Sequence, residues 1–262
     1  EHAKLPNNDF RLSAQKSIMQ FRLTFSFSYT PKLLRNKKLW RFDKMEMTKE
    51  LAELVGMIFR DGCLSSYKKK YMIYICGHKQ DDKEYHEITT KKLFLHLFGK
   101  EVSIQERKME NTLFIRFSDK KIFYMLNSVG IPIGKKYDNL RVPDWIVSNP
   151  DLSVCFVRGL ADTDGSVVFS KQHRNIRYYP RIEITSKSRS FLEEVLSILV
   201  SNGFYGSLSK KGPYYRLEIP GFKNLDMWLK LIGFSNPKHI RKIEANKGPF
   251  TPSTRILTSQ QY

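Results

Sequence analysis

Apolar positions along the chain change period in a fixed order, and they do so twice. After Thr48, a helix-capping residue, Leu51, Leu54, Val55 and Ile58 recur at helical spacing. The period then drops to two, which predicts a hairpin from residues 63–67 and 71–76 with Lys68, Lys69 and Lys70 at its tip. A helix over 85–98 ended by Gly99, strands over 102–107 and 112–117, and a short helix leading to Lys135 complete the first pass. The second opens with Asn149 as cap and Pro150 at the first helical position, followed by the apolar face of Val154, Val157, Leu160 and Ala161. Strands over 166–170 and 176–185, a helix over 191–201 ended by Gly203, strands over 205–210 and 214–219, and a short helix before Lys238 follow. Each half reads α-β-β-α-β-β-α, so the chain is an α+β protein made of two similar halves.

Alternation also assigns faces. Tyr178, Ile182 and Ile184 share one side of their strand, while Arg177, Tyr179, Arg181, Glu183 and Thr185 share the other. In the last strand Tyr214, Arg216 and Glu218 oppose Tyr215, Leu217 and Ile219. One face is core; the other is polar and cationic.

The two passes share chemistry as well as pattern. Leu-Val-Gly-Met-Ile-Phe-Arg-Asp-Gly at 54–62 returns as Val-Arg-Gly-Leu-Ala-Asp-Thr-Asp-Gly at 157–165, which sets Gly56 against Gly159 and Asp61 against Asp164 at an offset of 103. The same offset carries Lys135 onto Lys238, with the adjacent Lys136 as a rival to Lys135. Glycine within a helix costs about 1 kcal/mol relative to alanine, so Gly56 and Gly159 require a reason. Close approach of the two helix backbones along a shared seam is the expected one. Gly62 and Gly165 are expected to stop their helices in the left-handed conformation. Packing of this kind brings Asp61 and Asp164 together at helix C-termini, where they repel each other and oppose the helix dipoles. Divalent cations between them would resolve both conflicts. One Asp-Gly alone would be an ordinary turn. A calcium loop starting at Asp162 is disfavoured because its twelfth position is His173 rather than Glu.

Composition narrows the partner. With 262 residues and 41% hydrophobic content the chain can build substantial cores, and a net charge of +19 points to a polyanion. Cys63, Cys76 and Cys155 show no metal-type pairing, which argues for a reducing compartment and against zinc. No apolar run is long enough for a bilayer. An intracellular monomer, cytoplasmic or organellar and without a membrane partner, is expected. Residues 1–46 form a basic extension whose aromatics, among them Phe21, Phe25 and Trp40, are assigned to packing against the main domain. The expected units are thus 1–46, a first half at 47–149, a second at 150–249 and a tail at 250–262. His86, His96 and His239 are expected on helix surfaces or in polar packing.

The residues resemble LAGLIDADG homing endonucleases in the intron-encoded form where one chain carries both motifs. Gly159, Leu160, Ala161, Asp162, Asp164 and Gly165 carry the second motif; the first keeps Leu54, Gly56, Ile58, Asp61 and Gly62 but has Phe59 and Arg60. Val142-Pro143-Asp144-Trp145-Ile146 is similar to the segment such proteins place before the second motif helix. The resemblance implies a pseudo-dimer whose antiparallel sheets form a saddle on double-stranded DNA and whose Mg²⁺ ions serve hydrolysis of both strands, with Mn²⁺ or Ca²⁺ as substitutes for binding. It implies metal coordination by Asp61 and Asp164, and Lys135 and Lys238 near the scissile phosphates. Arg177, Tyr179, Arg181, Glu183, Tyr214, Arg216 and Glu218 would face bases, and Lys68, Lys69, Lys70, Arg174, Lys210 and Lys211 the flanking phosphates. A polar residue at the end of the second strand is Ser186 or Lys187 in one half, and His78 or Lys79 in the other. An intron maturase that binds RNA and a catalytically silent DNA-binding regulator are the alternatives on this scaffold. An intein is not expected, since the sequence opens at Glu1 and closes on Gln-Gln-Tyr without a terminal nucleophile or His-Asn pair.

Overall fold

The computed structural model describes residues 46–136, 140–171 and 178–246, all within one compact unit, Lys44–Tyr262. The expected N-terminal extension up to residue 45, the tail from 247, and Arg174 and Arg177 lie outside the described residues.

Helix α1 (Lys49–Asp61) starts where Thr48 accepts from the Leu51 N–H at 3.2 Å. Strands β1 (Gly62–Tyr67) and β2 (Lys70–His78) follow in antiparallel register. Their turn places Lys68 and Lys69 at φ 45° and 65°, the left-handed region that two-residue hairpin turns demand and that lysine rarely adopts. The next helix, α2, comprises Lys83–Tyr85, a π-helical turn over His86–Thr90, and Lys91–Phe98. Strands β3 (Ile104–Glu106) and β4 (Thr112–Ser118) and helix α3 (Lys120–Ser128) finish the first half.

A short helix α4 (Asp144–Val147) leads into α5 (Pro150–Asp164), capped by Asn149 through the N–H groups of Asp151 and Leu152. Then come β5 (Gly165–Ser170), β6 (Tyr179–Ser186), α6 (Arg189–Ser201), β7 (Ser207–Lys211), β8 (Tyr214–Pro220), α7 (Phe222–Leu231) and α8 (Pro237–Ala245). The two four-stranded antiparallel sheets share one topology, β1-β2-β4-β3 and β5-β6-β8-β7.

Most elements lie where the periodicity puts them, with three corrections. The strand expected over 102–107 shortens to Ile104–Glu106. Helices α4 and α8 were not anticipated, although Asn236 followed by Pro237 is a capping signal of the same kind as Asn149 and Pro150. Gly62 and Gly165 are extended, at φ −101° and −76°, not left-handed. Their glycine requirement is one of space: a Cβ would lie 2.6 Å from Ile58 Cγ2 and 2.4 Å from Ala161 O, because each strand departs directly across the last helical turn. Of the two placements expected for His86 and His239, the structure shows burial, at 1% and 2% exposure, with His86 Nδ1 against the Thr90 hydroxyl at 2.9 Å. Burial pushes both down to about 4, so both are neutral at pH 7.

Ile73, Ile75, Leu113 and Ile115 of the first sheet, and Ile182, Ile184, Leu217 and Ile219 of the second, point into the core shared with α1 and α5. The opposite face of the second sheet carries the polar set of Arg181, Glu183, Arg216 and Glu218.

Candidate functional site at the helix seam

Helices α1 and α5 lie against each other along the glycines. A Cβ on Gly56 would stand 2.2 Å from Phe156 O, and one on Gly159 2.1 Å from Glu53 O, so each glycine lets the opposing backbone fill the place of a side chain. The contact nearly mirrors itself at neighbouring positions, but its chemistry does not. On one side Phe59 meets Phe156 edge-on at 5.4 Å and Phe191 at 5.9 Å. The equivalent residues on the other side are Glu53 and the wholly buried Asp162.

Those carboxylates are occupied structurally. Glu53 accepts from Arg158 at 2.6 Å and from the Ser235 hydroxyl at 2.7 Å, while Asp162 accepts from the N–H groups of Ser235 and Asn236 at 2.9 and 3.0 Å. Burial pushes Asp162 up to about 8, with the Glu53 charge adding to it and the two backbone N–H groups opposing it. The aromatic Phe59 of the weaker motif is thus the packing counterpart of Asp162, whose role is to fasten the segment ahead of α8.

At the C-terminal end of the seam stand Asp61 and Asp164. Burial pushes the Asp61 carboxyl up to about 7; Asp164 and Asp82 add to the rise, and Arg60 and Lys238 counter it only in part. Asp164 is more open and accepts an ion pair from the Arg60 guanidinium, which reaches across the seam.

Two lysines fold back on the helix ends. Lys238 Nζ, held by α8, donates to Asp82 at 2.8 Å and to Thr163 O at 3.3 Å. Lys136 Nζ donates to Ile58 O at 2.5 Å, to Phe59 O at 3.3 Å and also to Gly62 O. Cations there complement the helix dipoles. Burial pushes Lys136 down to about 8. The offset of 103 pairs Lys135 with Lys238, but Lys135 is exposed and it is Lys136 that reaches the α1 terminus. Gly134 N–H bonds to Leu64 O at 2.8 Å, anchoring the approach beside β1 and turning the second lysine inward.

Asp82 was not singled out by sequence. It is 5% exposed and accepts from His78 N–H at 2.8 Å and Asn236 Nδ2 at 2.9 Å besides Lys238, linking the first half to the second. Burial alone would raise its pKa; the Lys238 hydrogen bond and charge hold it below the usual value. No short motif marks it, since its side-chain partners Asn236 and Lys238 lie more than 150 positions downstream.

Strand register resolves the second-strand position. Ile75 faces Gly62 as Ile184 faces Gly165, so Ser186 corresponds to Gly77 and Lys187 to His78. His78 is bonded to Asp81 and Asn111, at 3.0 and 2.7 Å, and Lys79 pairs with Glu106 at 2.7 Å.

The outward sheet faces differ sharply. In the second, Glu183 pairs with Arg181 at 3.2 Å and Arg216 at 3.6 Å, and Arg216 also with Glu218 at 3.3 Å. Glu183 sits directly opposite Glu218 across the β6–β8 pair, so Arg216 offsets their repulsion. Arg181 Nε, Ser209 Oγ and Arg216 Nε remain buried without hydrogen-bond partners on this face, which leaves hydrogen-bonding capacity. The first face instead stacks Tyr74 on Phe114 at 5.7 Å, with Arg107 and Arg116 over the Phe114 ring at 5.9 and 5.5 Å. Of the other expected contacts, Tyr179 lies in β6 and Tyr214 in β8, with Lys187 over the Tyr214 ring at 5.6 Å. Lys70 opens β2, and Lys210 and Lys211 end β7.

This is a LAGLIDADG fold of the two-motif kind, and residues 151–233 match the LAGLIDADG-like domain. Among solved structures, the homing endonuclease I-DmoI in complex with DNA and Mn matches with a TM-score of 0.52 and 19% identity, covering 72% of this chain and 98% of the other. Full-length DUF199/WhiA from Thermatoga maritima matches with a TM-score of 0.51 and 19% identity, covering 79% and 64%. The fold is therefore carried by proteins of differing description. Among curated proteins, the replication factor C small subunit of Methanocaldococcus jannaschii is 27% identical over 83% of this chain, and the tRNA-splicing ligase RtcB of Methanopyrus kandleri 25% over 70%. The chain spans only 11% and 20% of those relatives' own lengths. Among the described residues, no helix is long and apolar enough to cross a membrane.

Proposed function

We propose that the protein is a site-specific homing endonuclease that hydrolyses both strands of a long, partly palindromic DNA duplex with a divalent metal. The convergence of Asp61 and Asp164 at the ends of two glycine-packed helices carries this reading. Asp61 is short of positive charge, and carboxylate oxygens are the donors that Mg²⁺ prefers, so the residues fit a divalent cation. Asp61 and Asp164 would hold it, and it would supply water activation and charge stabilisation when bound. Lys136 and Lys238 fix the two helix ends and place positive charge beside the position of a scissile phosphate. Arg181, Glu183, Arg216 and Glu218 read bases in one half-site, and Tyr74, Phe114 and Arg116 face the other.

The curated relatives support a mobile module. A replication factor and an RNA ligase share little by name, and each matches this chain over a small part of its length, as a segment inserted into unrelated hosts would. The ion pair of Arg60 on Asp164 favours a second reading, a DNA-binding protein on this scaffold that does not cut.

Selection of cleaved sequences from a randomised duplex library with Mg²⁺ tests the proposal and finds the target together. Enrichment of one target, cut on both strands, is expected; binding without cleavage at any sequence would leave the second reading.

A further inference from the structure

The two motif carboxylates are not equally available. The position before Asp164 is Thr163, whose hydroxyl turns back to its own helix and donates to Gly159 O and Leu160 O, both at 3.1 Å. The position before Asp61 is Arg60, whose guanidinium crosses to Asp164. The Arg60 side chain is 13% exposed and its Nε is buried without a partner, so this is an enclosed cation with one directed contact rather than a loose surface pair. Among the described residues no side chain donates a hydrogen bond to the Asp61 carboxylate. Arg60 thus supplies to Asp164 a positive charge that the pseudo-symmetry would reserve for a bound cation.

We infer that Arg60 is a built-in competitor for divalent cations at the seam: it occupies Asp164 in the DNA-free protein and must leave for the carboxylate pair to take a metal ion. The inference rests on the reading that Asp61 and Asp164 form that pair. A guanidinium held by one carboxylate is also suited to a phosphate, which accepts the same planar fork. An arriving DNA backbone therefore offers Arg60 an alternative partner and frees Asp164. Metal loading becomes coupled to DNA binding, and the site stays uncharged by metal when no DNA is present.

The test is Mn²⁺ titration of the DNA-free protein, followed through the electron paramagnetic resonance signal of free Mn²⁺. Arg60→Met, which keeps length and removes charge, should bind Mn²⁺ about tenfold tighter than wild type, and the gain should vanish in Arg60→Met/Asp164→Asn. Equal or weaker binding by a folded Arg60→Met overturns the inference. Wild-type protein gives a second readout that needs no stable variant. The Arg60 guanidinium ¹⁵N–¹H resonance should shift on saturation with Ca²⁺ and again on addition of duplex; no shift with either contradicts the exchange. Failure of the underlying reading has a different signature: no variant, with or without DNA, would then bind Mn²⁺ in a manner sensitive to Asp61→Asn.

Discussion

At the scale of single residues, the charge balance around Asp61 has a measurable cost. Its carboxyl stands at about 7 against an ordinary 3.8, so between those pH values the folded protein keeps a proton that the unfolded chain has released. Stability from this group is therefore lost as pH rises through the window, and the loss is complete above about 7. Asp61→Asn should match wild type near pH 4 and exceed it at pH 8 by on the order of 2–4 kcal/mol in metal-free urea denaturation. The same substitution, or Asp164→Asn, is expected to abolish double-strand cleavage while leaving most of the DNA affinity; undiminished cutting by the double variant would sink the metal assignment. Lys136 and Lys135 separate in a similar way. Lys136→Ala strips a donor from three carbonyls and should cost about 1–3 kcal/mol, whereas Lys135→Ala should be nearly silent in the same melt. Asp61, Asp164 and Lys238 were legible because type and spacing repeat. Asp82 was not, since its meaning comes from Lys238 and Asn236 far along the chain.

Among the elements, the seam of α1 and α5 is the most constrained contact. A methyl at Gly56 or Gly159 has backbone as its neighbour, which cannot rotate away, so the helices must separate. Gly56→Ala or Gly159→Ala is expected to destabilise by about 3 kcal/mol or more, and a chemical melt unchanged within error would show the seam to be pliable. The asymmetry of the seam explains why the first motif departs from the second. Phe59 joins Phe156 and Phe191 in an aromatic cluster, while Asp162 anchors the chain ahead of α8. Periodicity located helices and strands well because burial of one face imposes it. It missed α8, which has a polar sequence and depends on its Asn236 cap and on the burial of His239 and Ile243.

For the molecule as a whole, two sheets of one topology present unlike surfaces. Arg and Glu dominate the second, aromatic rings with arginines the first, so target positions should be read by different chemistry in the two half-sites. Glu183→Gln should relax base preference within one half-site by about 1–3 kcal/mol per contacted pair and leave the other unchanged, as a selected-sequence profile would reveal. Loss of preference in both halves would contradict that division. With a charge of +19, binding should also weaken steeply with salt, by about 10³-fold or more between roughly 50 and 200 mM.

The sequence alone determined the doubled α+β plan, the seam glycines, the paired acids and the large excess of positive charge, because each is written in local period, residue type or a repeated offset. Only the tertiary structure decided which lysine serves α1, that Asp162 is structural, that Gly62 and Gly165 answer to space rather than handedness, and that Arg60 faces Asp164. Those outcomes depend on what meets across the seam, where charge and volume are set by residues distant in the chain and no local pattern records them.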